Sequence, residues 1–574
     1  MTSPDSYRLP KTLILMLALN IGPARKNTSL APRPDDKLNF PFTFGLSMNF
    51  GFVIDNRKCI GCHACTVACK AEHEVPVGVN RTWVKYIEKG TFPDTRRLFS
   101  VMRCNHCADA PCVEICPVSA LFTRKDGIVD FDNRRCIGCK SCTQACPYDA
   151  LYMHPTDDTA AKCNYCTHRV DIGLEPACVN VCPEHAIISG DMDNPNSEIS
   201  RLLARETVSV RKPEKGTSPK LFYIDGDRAS LDPTAANPDT EYMWSSQSSG
   251  VGHFAGIAGS LPATPQSGVN DSNSSERTGL LRKLAKDAQS PRRVYDAPSK
   301  GVLWGWEVAS YVWTKAIAAG AFLVPVISGY FMDVSFQMKQ FGAWTAIIFL
   351  AITGILLIKD LGRPDRFLYV LLRPQWRSWL TRGAYIITGY GAVLTAWLVA
   401  NYLALDTVLA YLEPIGIVLG LLTAVYTAFL FAQAKGRDFW QSPVLGLHMI
   451  IHSLMAGLTV FLIGDLWLKP NLGITIVFAF LMSVMIVVNL LTLIVELTTT
   501  HSTEDSHKAV SMITRGRFSY QFWLGVVLAG NLVPLLLLMT GQSGSAAISG
   551  LLVLIGLFIG ERIWVRAPQL IPLS

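Results

Sequence analysis

The chain has 574 residues, too many for one ordinary domain, so we expect two or three domains. Charged residues make up 17% of it, against roughly 25% in typical soluble domains, and the formal net charge is +7. The mean hydropathy is +0.27, and apolar residues lie mostly after position 300. This composition excludes a wholly soluble protein and predicts a membrane protein with a soluble part.

Residues 1–47 contain one apolar run, TLILMLALNIG, from Thr12 to Gly22. The run weakly resembles the hydrophobic part of a signal sequence, but it is too short to cross a bilayer and no twin arginine precedes it. A disordered extension, or a chain that truly starts at Met48, is favoured over a weak targeting segment.

All sixteen cysteines lie between Cys59 and Cys182, in four groups with short, regular spacing. The groups are Cys59, Cys62, Cys65 and Cys69; Cys104, Cys107, Cys112 and Cys116; Cys136, Cys139, Cys142 and Cys146; and Cys163, Cys166, Cys178 and Cys182. The run C-x2-C-x2-C-x3-C is typical of iron–sulfur cubes, where the fourth cysteine ligates the neighbouring cluster. Four complete groups predict four [4Fe–4S] clusters, with all sixteen cysteines as iron ligands. Because these thiolates would cancel the positive net charge, we expect no nucleic-acid partner.

The segment RKCIGCHACTVACK, from Arg57 to Lys70, also contains C-x-x-C-H, the signal for haem attachment. It aligns with RRCIGCKSCTQACP as an internal repeat in which Lys140 replaces His63, so we expect no haem. Disulfides suit small secreted scaffolds, and zinc sites use paired C-x-x-C knuckles; both alternatives are less favoured. The segment GIVDFD, from Gly127 to Asp132, predicts a short strand, which fits an α+β tandem ferredoxin-like domain.

Residues 49–230 resemble the four-cluster ferredoxin subunit of the dimethyl sulfoxide reductase superfamily, on the cysteine spacing and the gap between Cys166 and Cys178. The resemblance implies a molybdopterin-containing catalytic partner. It also implies four ligand sets: Cys59, Cys62 and Cys65 with Cys182; Cys163, Cys166 and Cys178 with Cys69; Cys104, Cys107 and Cys112 with Cys146; and Cys136, Cys139 and Cys142 with Cys116. The predicted cluster domain covers residues 48–230, with a last strand at Lys220–Asp225, and a flexible linker rich in Ser, Gly, Pro and Asn covers 231–300.

Residues 301–574 contain eight apolar segments long enough to cross a membrane. The expected spans are 307–331, 341–358, 383–404, 409–433, 443–465, 473–497, 519–541 and 546–565. The loops after the second, fourth and sixth spans carry most of the Lys and Arg, which predicts a multi-pass protein of the bacterial inner membrane with its cluster domain in the cytoplasm. One alternative is that the arginine-rich second loop docks the cluster domain, so that its charge reports function and not topology.

The segment DLGRPDRFLYVLLRPQWRSWLTRG, Asp360 to Gly383, together with VYTAFL, Glu496 and GNLVP, resembles the NrfD/polysulfide reductase membrane subunit family. The resemblance implies an all-α eight-helix domain without haem that handles quinone, here menaquinone or ubiquinone, fused to the cluster domain. Tyr426 matches the family tyrosine that hydrogen-bonds quinone.

Ionisable residues inside a bilayer are costly and usually functional, so Lys315, Glu307 and His448 are further quinone or proton candidates. Snorkelling of Lys315, exposure of Glu307 and polar packing of His448 with His452 are the alternatives. Asp360, Asp465 and Glu496 lie at helix ends and are possible proton relays, although ordinary interfacial solvation is favoured for Asp465.

These features together predict an electron conduit between membrane quinone and a catalytic subunit through four clusters. The substrate chemistry is expected on a separate subunit of the oxidoreductase. One alternative keeps the cofactors in an assembly of the alternative complex III type. A second alternative is a transporter regulated by its clusters, which we disfavour because no internal repeat is visible in the helices.

Overall fold

The computed structural model describes residues 48–91, 93–238, 291–468, 472–498 and 503–574. These described residues belong to one compact unit, in which the cysteine-rich part and the membrane part are packed together. The predicted extension 1–47 and most of the predicted linker lie outside the described residues.

The cysteine-rich part is built from short strands in two four-stranded sheets and two hairpins. The strands are β1 Phe50–Asp55, β2 Thr82–Thr91, β3 Asp94–Arg103, β4 Leu121–Thr123, β5 Val129–Phe131, β6 Tyr152–Met153, β7 Ala160–Ala161, β8 Ile187–Asp191, β9 Val208–Ser209, β10 Leu221–Ile224, β11 Asn237–Pro238 and β12 Arg292–Tyr295. The first sheet has the order β8-β1-β10-β9 and the second β11-β12-β2-β3, while β4-β5 and β6-β7 are the hairpins. Strands β1 and β10 are parallel, with Phe52 opposite Leu221, and both side chains are buried in the core.

Short helices follow the cysteine loops. They are α1 Ala64–Glu72, α2 Pro111–Glu114, α3 Ser141–Ala145, α4 Thr167–Val170, α5 Ala177–Asn180, α6 Glu198–Arg205 and α7 Arg228–Leu231. His63 and Lys140, which occupy the same place in the internal repeat, precede α1 and α3 with φ of 60° and 61°. Both residues therefore turn the backbone in the left-handed region at equivalent positions, whatever their side chains are.

The described ends of the predicted linker belong to the second sheet. Asn237 pairs with Arg292, and Arg293 in turn pairs with Ile87 of β2. Strand β12 therefore returns the chain to the cluster domain immediately before the membrane part begins.

The prediction of an all-α membrane part is confirmed. Eight helices among the described residues are long and apolar enough to cross a membrane. The helices of this part are α8 Trp306–Ser328, α9 Phe336–Lys359, α10 Tyr369–Leu372, α11 Trp379–Tyr402, α12 Asp406–Gln433, α13 Leu445–Leu468, α14 Leu472–Thr498, α15 Glu504–Thr514, a π-helix Gln521–Leu532 that continues into α16 Val533–Leu538, and α17 Ser543–Arg566. Helices α10 and α15 are short and lie between spans.

Helix α8 is the central helix of the bundle. The most apolar 18-residue stretch of α8 has a mean hydropathy of only 1.4, yet 89% of it is buried inside the protein. The corresponding stretch of α14 has a mean hydropathy of 2.7, and only 22% of it is buried. The most polar span is shielded by the others because lipid tails solvate only apolar side chains well. The polar groups of α8 therefore face other helices.

Candidate iron–sulfur sites and membrane cavity

The sixteen cysteines gather in space as four quartets. Two quartets each line a cavity, and the thiols of the other two act on one another electrostatically. The distal quartet is Cys59, Cys62, Cys65 and Cys182; the second is Cys69, Cys163, Cys166 and Cys178; the third is Cys104, Cys107, Cys112 and Cys146; and the proximal quartet is Cys116, Cys136, Cys139 and Cys142. The structure thus brings together the same four sets that the resemblance implies.

The surroundings of the quartets suit thiolate ligands. Burial raises the pKa of Cys65 and of Cys107 to about 12, so these thiols stay protonated on their own and release the proton when a metal ion binds the sulfur. Backbone amides point at several sulfurs and would stabilise their negative charge. These amides include Ala120 N to Cys116 Sγ at 3.2 Å, Ala186 N to Cys182 Sγ at 3.3 Å and Gly138 N to Cys136 Sγ at 3.4 Å.

Two fully buried cations lie among the middle quartets. Arg103 donates from Nη2 to Cys178 Sγ at 2.7 Å, while its Nε and Nη1 atoms have no partner in the described part of the chain. Lys162 donates to the carbonyls of Val129 and Cys163 and acts electrostatically on Cys104. A buried cation without a carboxylate is costly unless another negative charge compensates it. Anionic cysteine-bound clusters fit this requirement.

The quartets form a linear series. The thiol of Cys65 in the distal quartet acts on Cys178 in the second, Cys104 in the third acts on Cys163 in the second, and Cys142 in the proximal quartet acts on Cys112 in the third. Cys62, at the distal end, is exposed. The proximal end lies against the membrane part.

The loop between α9 and α11 attaches the proximal quartet to the membrane part. Lys140, next to Cys139, donates from Nζ to Asp360 Oδ1 at 3.0 Å, and Arg366 donates to the carbonyls of Asn133 and Cys136 at 2.7 and 3.0 Å. Further bonds tie this loop and the first turn of α11 to α2 and the segment that follows it. These bonds join Gln375 to the Val113 carbonyl, Ser378 to the Ile115 carbonyl and Thr381 to the Pro117 carbonyl. Part of the arginine-rich loop therefore docks the cluster domain.

A cavity of about 210 Å³ lies between the membrane helices and the proximal quartet. Cys139 lines it on the cluster side, and Tyr311 of α8, Tyr426 of α12 and Asp360 after α9 line it on the membrane side. Most of the remaining lining is aliphatic or aromatic, which suits an apolar ring with a few polar substituents. Burial raises the pKa of Asp360 to about 6, against the opposing effect of Lys140.

Of the four predicted membrane site residues, only Tyr426 is among the described residues that line this cavity. Lys315 does not line the cavity, but its Nζ lies 4.8 Å from the centroid of the Tyr426 ring. Glu307 is half-buried in the first turn of α8 and acts electrostatically on Asp360. His448 is on α13, where its Nδ1 lies 2.8 Å from Glu496 Oε2.

Sequence reasoning missed one buried carboxylate. Glu561 of α17 is 5% exposed and lies 2.8 Å from His452 Nδ1. The signal was present, because Glu561 is an acidic residue inside a predicted span. Glu307, Tyr311 and Lys315 recur every four residues, so the sequence places Tyr311 on their face of α8, but the spacing alone does not predict that Tyr311 lines the cavity.

The fold and the four cysteine quartets define a multi-pass membrane protein with an iron–sulfur electron-transfer domain. Residues 296–570 match the family described as "Polysulphide reductase, NrfD", and residues 95–192 and 58–121 match two families described as "4Fe-4S dicluster domain".

The cluster domain is similar to subunits of several reductases. It is 41% identical over 222 residues to a subunit of tetrathionate reductase from Salmonella typhimurium, covering 37% of this chain and 88% of the relative. It is 36% identical over 227 residues to the iron–sulfur subunit of the arsenate respiratory reductase of a Shewanella species, covering 31% of this chain and 96% of the relative. It is 39% identical over 192 residues to one of the chains of polysulfide reductase from Wolinella succinogenes, covering 33% of this chain and all of the relative.

The protein belongs to this family of iron–sulfur reductase subunits, and in it the iron–sulfur domain is fused to an NrfD membrane domain. The predicted fusion is therefore confirmed. Iron–sulfur clusters are the cofactors that this domain type binds, and the protein is an electron-transfer component of an oxidoreductase.

Proposed function

We propose that this protein carries electrons between membrane quinone and a molybdopterin-containing catalytic partner through four [4Fe–4S] clusters. One observation carries the proposal: a single cavity joins Tyr426, in the membrane, to Cys139 of the proximal quartet. A quinone ring in this cavity would lie next to the first cluster of the series. Each cluster, when bound, takes up or releases one electron at a time.

The polar groups of the cavity suit both redox states of a quinone. The phenols of Tyr311 and Tyr426 can donate hydrogen bonds to quinone carbonyls, and the Asp360 carboxylate can accept a proton from a quinol hydroxyl. Lys140 holds Asp360 by its side chain and its backbone carbonyl, which keeps the carboxylate close to the cluster loop. The proposed proton acceptor, Asp360, is therefore bonded to the residue next to Cys139, a ligand of the proposed electron acceptor.

The order of the quartets favours the distal quartet as the docking point of the catalytic partner. Cys62 is exposed there, and Ile60 and Val67 are 55% and 65% exposed beside it. Apolar residues around an exposed redox centre suit a protein interface. The proposed partner is molybdopterin-containing because the cluster domain resembles that of the dimethyl sulfoxide reductase superfamily.

We place the cluster domain on the cytoplasmic side of the bacterial inner membrane. Arg366 docks the cluster domain, so it is discounted as topological evidence. Arg377 and Arg382 are exposed on the same side and still favour the cytoplasm. Labelling of an engineered cysteine in the loop before α12, in intact cells and in inverted vesicles, tests this assignment.

The first test counts and reduces the clusters. The purified chain, kept anaerobic, is reduced with dithionite and its spins are quantified by EPR, then the experiment is repeated with menadiol as the only reductant. Four spins per chain with dithionite, and rapid partial reduction by menadiol, are expected.

Tyr426→Phe should slow reduction by menadiol about tenfold or more, equivalent to about 1.4 kcal/mol, because it removes a hydrogen-bond donor from the cavity. Tyr390→Phe is the matched control, since Tyr390 is equally buried but donates to the Ala318 carbonyl at 3.1 Å. Full cluster content without any response to menadiol in the parent protein would contradict the quinone site.

A further inference from the structure

A group of four buried acid–base side chains lies in the membrane part outside the cavity. It consists of His448 and His452 on α13, Glu496 on α14 and Glu561 on α17, and we name it the histidine–glutamate tetrad. All four side chains are at most 6% exposed. Nothing in the proposed quinone chemistry uses them. Buried ionisable groups in a bilayer are rarely retained without a function.

The tetrad is two adjacent histidine–glutamate pairs. His448 Nδ1 lies 2.8 Å from Glu496 Oε2, and His452 Nδ1 lies 2.8 Å from Glu561 Oε1. The two imidazole ring centroids are only 4.1 Å apart. Trp564 donates from Nε1 to Glu496 Oε1 at 3.0 Å, which fixes that carboxylate. Each imidazole can donate from Nδ1 to its carboxylate, which leaves Nε2 able to accept a further proton.

Lys315 lies between the tetrad and the quinone cavity. It is 1% exposed, and its Nζ donates to the Ala424 carbonyl at 3.1 Å and to Thr427 Oγ1 at 2.6 Å, both neutral acceptors. Its Nζ lies 4.8 Å from the centroid of the Tyr426 ring, on the cavity side, and it acts electrostatically on Glu561 on the other side. Lys315 therefore has the cavity on one side and the tetrad on the other.

The charges in this region balance with one added proton. Two glutamates carry two negative charges and Lys315 carries one positive charge, so one imidazolium makes the set neutral. Without that proton the set has a single negative charge. With a second one, two imidazolium rings would lie 4.1 Å apart in a medium of low dielectric, which is strongly disfavoured. The tetrad can therefore hold one exchangeable proton, shared by two coupled histidines.

We propose that the tetrad is a one-proton carrier that exchanges a proton with the quinone cavity through Lys315. This inference rests on the proposed function. When quinol gives up two electrons to the clusters, its two oxygens lose two protons. Lys315 passes its own proton to the tetrad and regains one from the cavity, and the other proton goes to Asp360. Quinone reduction uses the same transfers in reverse.

The titratable groups that face the two histidines come from α8, α14 and α17. Outside the tetrad, Tyr311 and Lys315 of α8 both act electrostatically on Glu561, while Glu496 and Glu561 are the carboxylates that α14 and α17 contribute to the tetrad itself. The charge of Lys315 lowers the energy of the Glu561 carboxylate, so the protonation state of Lys315 and that of the tetrad are coupled.

A metal ion is the competing occupant. Ligand atoms of His448, His452 and Glu561 all lie within 4.8 Å of one another. The proton carrier is favoured because each imidazole Nδ1 is already directed at a carboxylate oxygen. Elemental analysis decides between them: a stoichiometric metal ion other than iron that is lost in His452→Gln would overturn the proposal.

The direct test is infrared difference spectroscopy of the full chain in lipid nanodiscs. A pH step on the oxidised protein, with no quinone added, also titrates surface histidines such as His168, so the spectrum of the double variant His448→Gln/His452→Gln is subtracted. The remaining difference should be one imidazolium per chain that forms and disappears, and no second one. Glu561→Gln should abolish this signal, because the set is then neutral without the added proton. Asp465→Asn is the matched control, because Asp465 is a carboxylate of α13 that bonds Thr475 and lies outside the tetrad.

The second readout is the rate of cluster reduction by menadiol. Glu561→Gln should slow it about tenfold or more while EPR spin content and menadione affinity stay unchanged, and Glu561→Asp should restore part of the rate. An infrared signal that persists in Glu561→Gln would overturn the carrier. An unchanged rate of cluster reduction in folded Glu561→Gln with full spin content would overturn it as well. If the parent protein shows the signal but no response to menadiol, the quinone proposal fails and the link to the cavity fails with it, while the one-proton tetrad stands.

Discussion

The cluster domain and the membrane domain both bury charge, but they compensate it in different ways. In the cluster domain, Arg103 points at a cysteine sulfur, so its charge is matched by a cofactor site. In the membrane domain, His448 and His452 are matched by Glu496 and Glu561, so side chains of the protein compensate one another. The cluster domain is therefore organised around bound groups, and the membrane domain is organised around its own acid–base pairs.

The largest effect on cluster reduction should come from substituting a cysteine ligand at one end of the cluster series, compared with a ligand at the other end. Cys139→Ala removes a ligand next to the cavity, so we expect loss of one spin by EPR and loss of nearly all reduction by menadiol. Cys62→Ala removes a ligand at the exposed distal end, so one spin should be lost while reduction of the remaining clusters persists. Equal loss of menadiol response in both variants would contradict the linear order.

Substitution of one glycine in the membrane domain should slow menadiol oxidation nearly as strongly as loss of a cluster ligand. A methyl group added at Gly383 of α11 would collide with the ring of Tyr426, whereas at Gly389 it would meet only Leu419 at 4.0 Å. We therefore expect Gly383→Ala to slow menadiol oxidation about tenfold by displacing Tyr426, and Gly389→Ala to have little effect. Stopped-flow absorbance of the clusters measures both rates. Equal rates of menadiol oxidation in the two variants would show that Tyr426 has no role in the quinone site.

The junction between the two regions should show a pH dependence. Asp360 has a pKa of about 6 because it is buried, so it is a carboxylate above pH 6 and protonated below it. Only the carboxylate can accept a quinol proton, so the rate of menadiol oxidation should fall severalfold as the pH falls through about 6. In Asp360→Asn this limb of the profile should be absent and the rate low throughout. A limb that persists in the variant would assign the titration to another group.

The smallest effect should come from the docking contacts. Arg366 donates to two carbonyls of the proximal cysteine loop, while Arg363 on the same loop pairs with Asp365 at the surface. Arg366→Ala should cost about 1.5–3 kcal/mol of local stability and raise hydrogen exchange in residues 133–137, whereas Arg363→Ala, which removes only a surface pair, should leave that exchange nearly unchanged. Similar exchange in the two variants would mean that Arg366 does not hold the domains together.

Local spacing made the cluster domain predictable. The cysteine runs predicted iron–sulfur chemistry, and the strand Leu221–Ile224 was expected at Lys220–Asp225. Strand β12 was missed because its partner is β2, about two hundred residues earlier, and its own four residues carry no strand period. The pairing with β2, and not the local sequence, makes Arg292–Tyr295 a strand.

The sequence by itself determined the eight apolar spans, the sixteen cysteines and the separation of soluble and membrane parts, because length, hydropathy and short spacing are local properties. Only the tertiary structure decided which polar residues meet. It placed Tyr426 and Tyr311 in the cavity beside Cys139, and it paired His452 with Glu561 across more than one hundred residues. Such contacts depend on how the helices pack, because each helix has several faces and its own sequence does not determine which helix packs against each face.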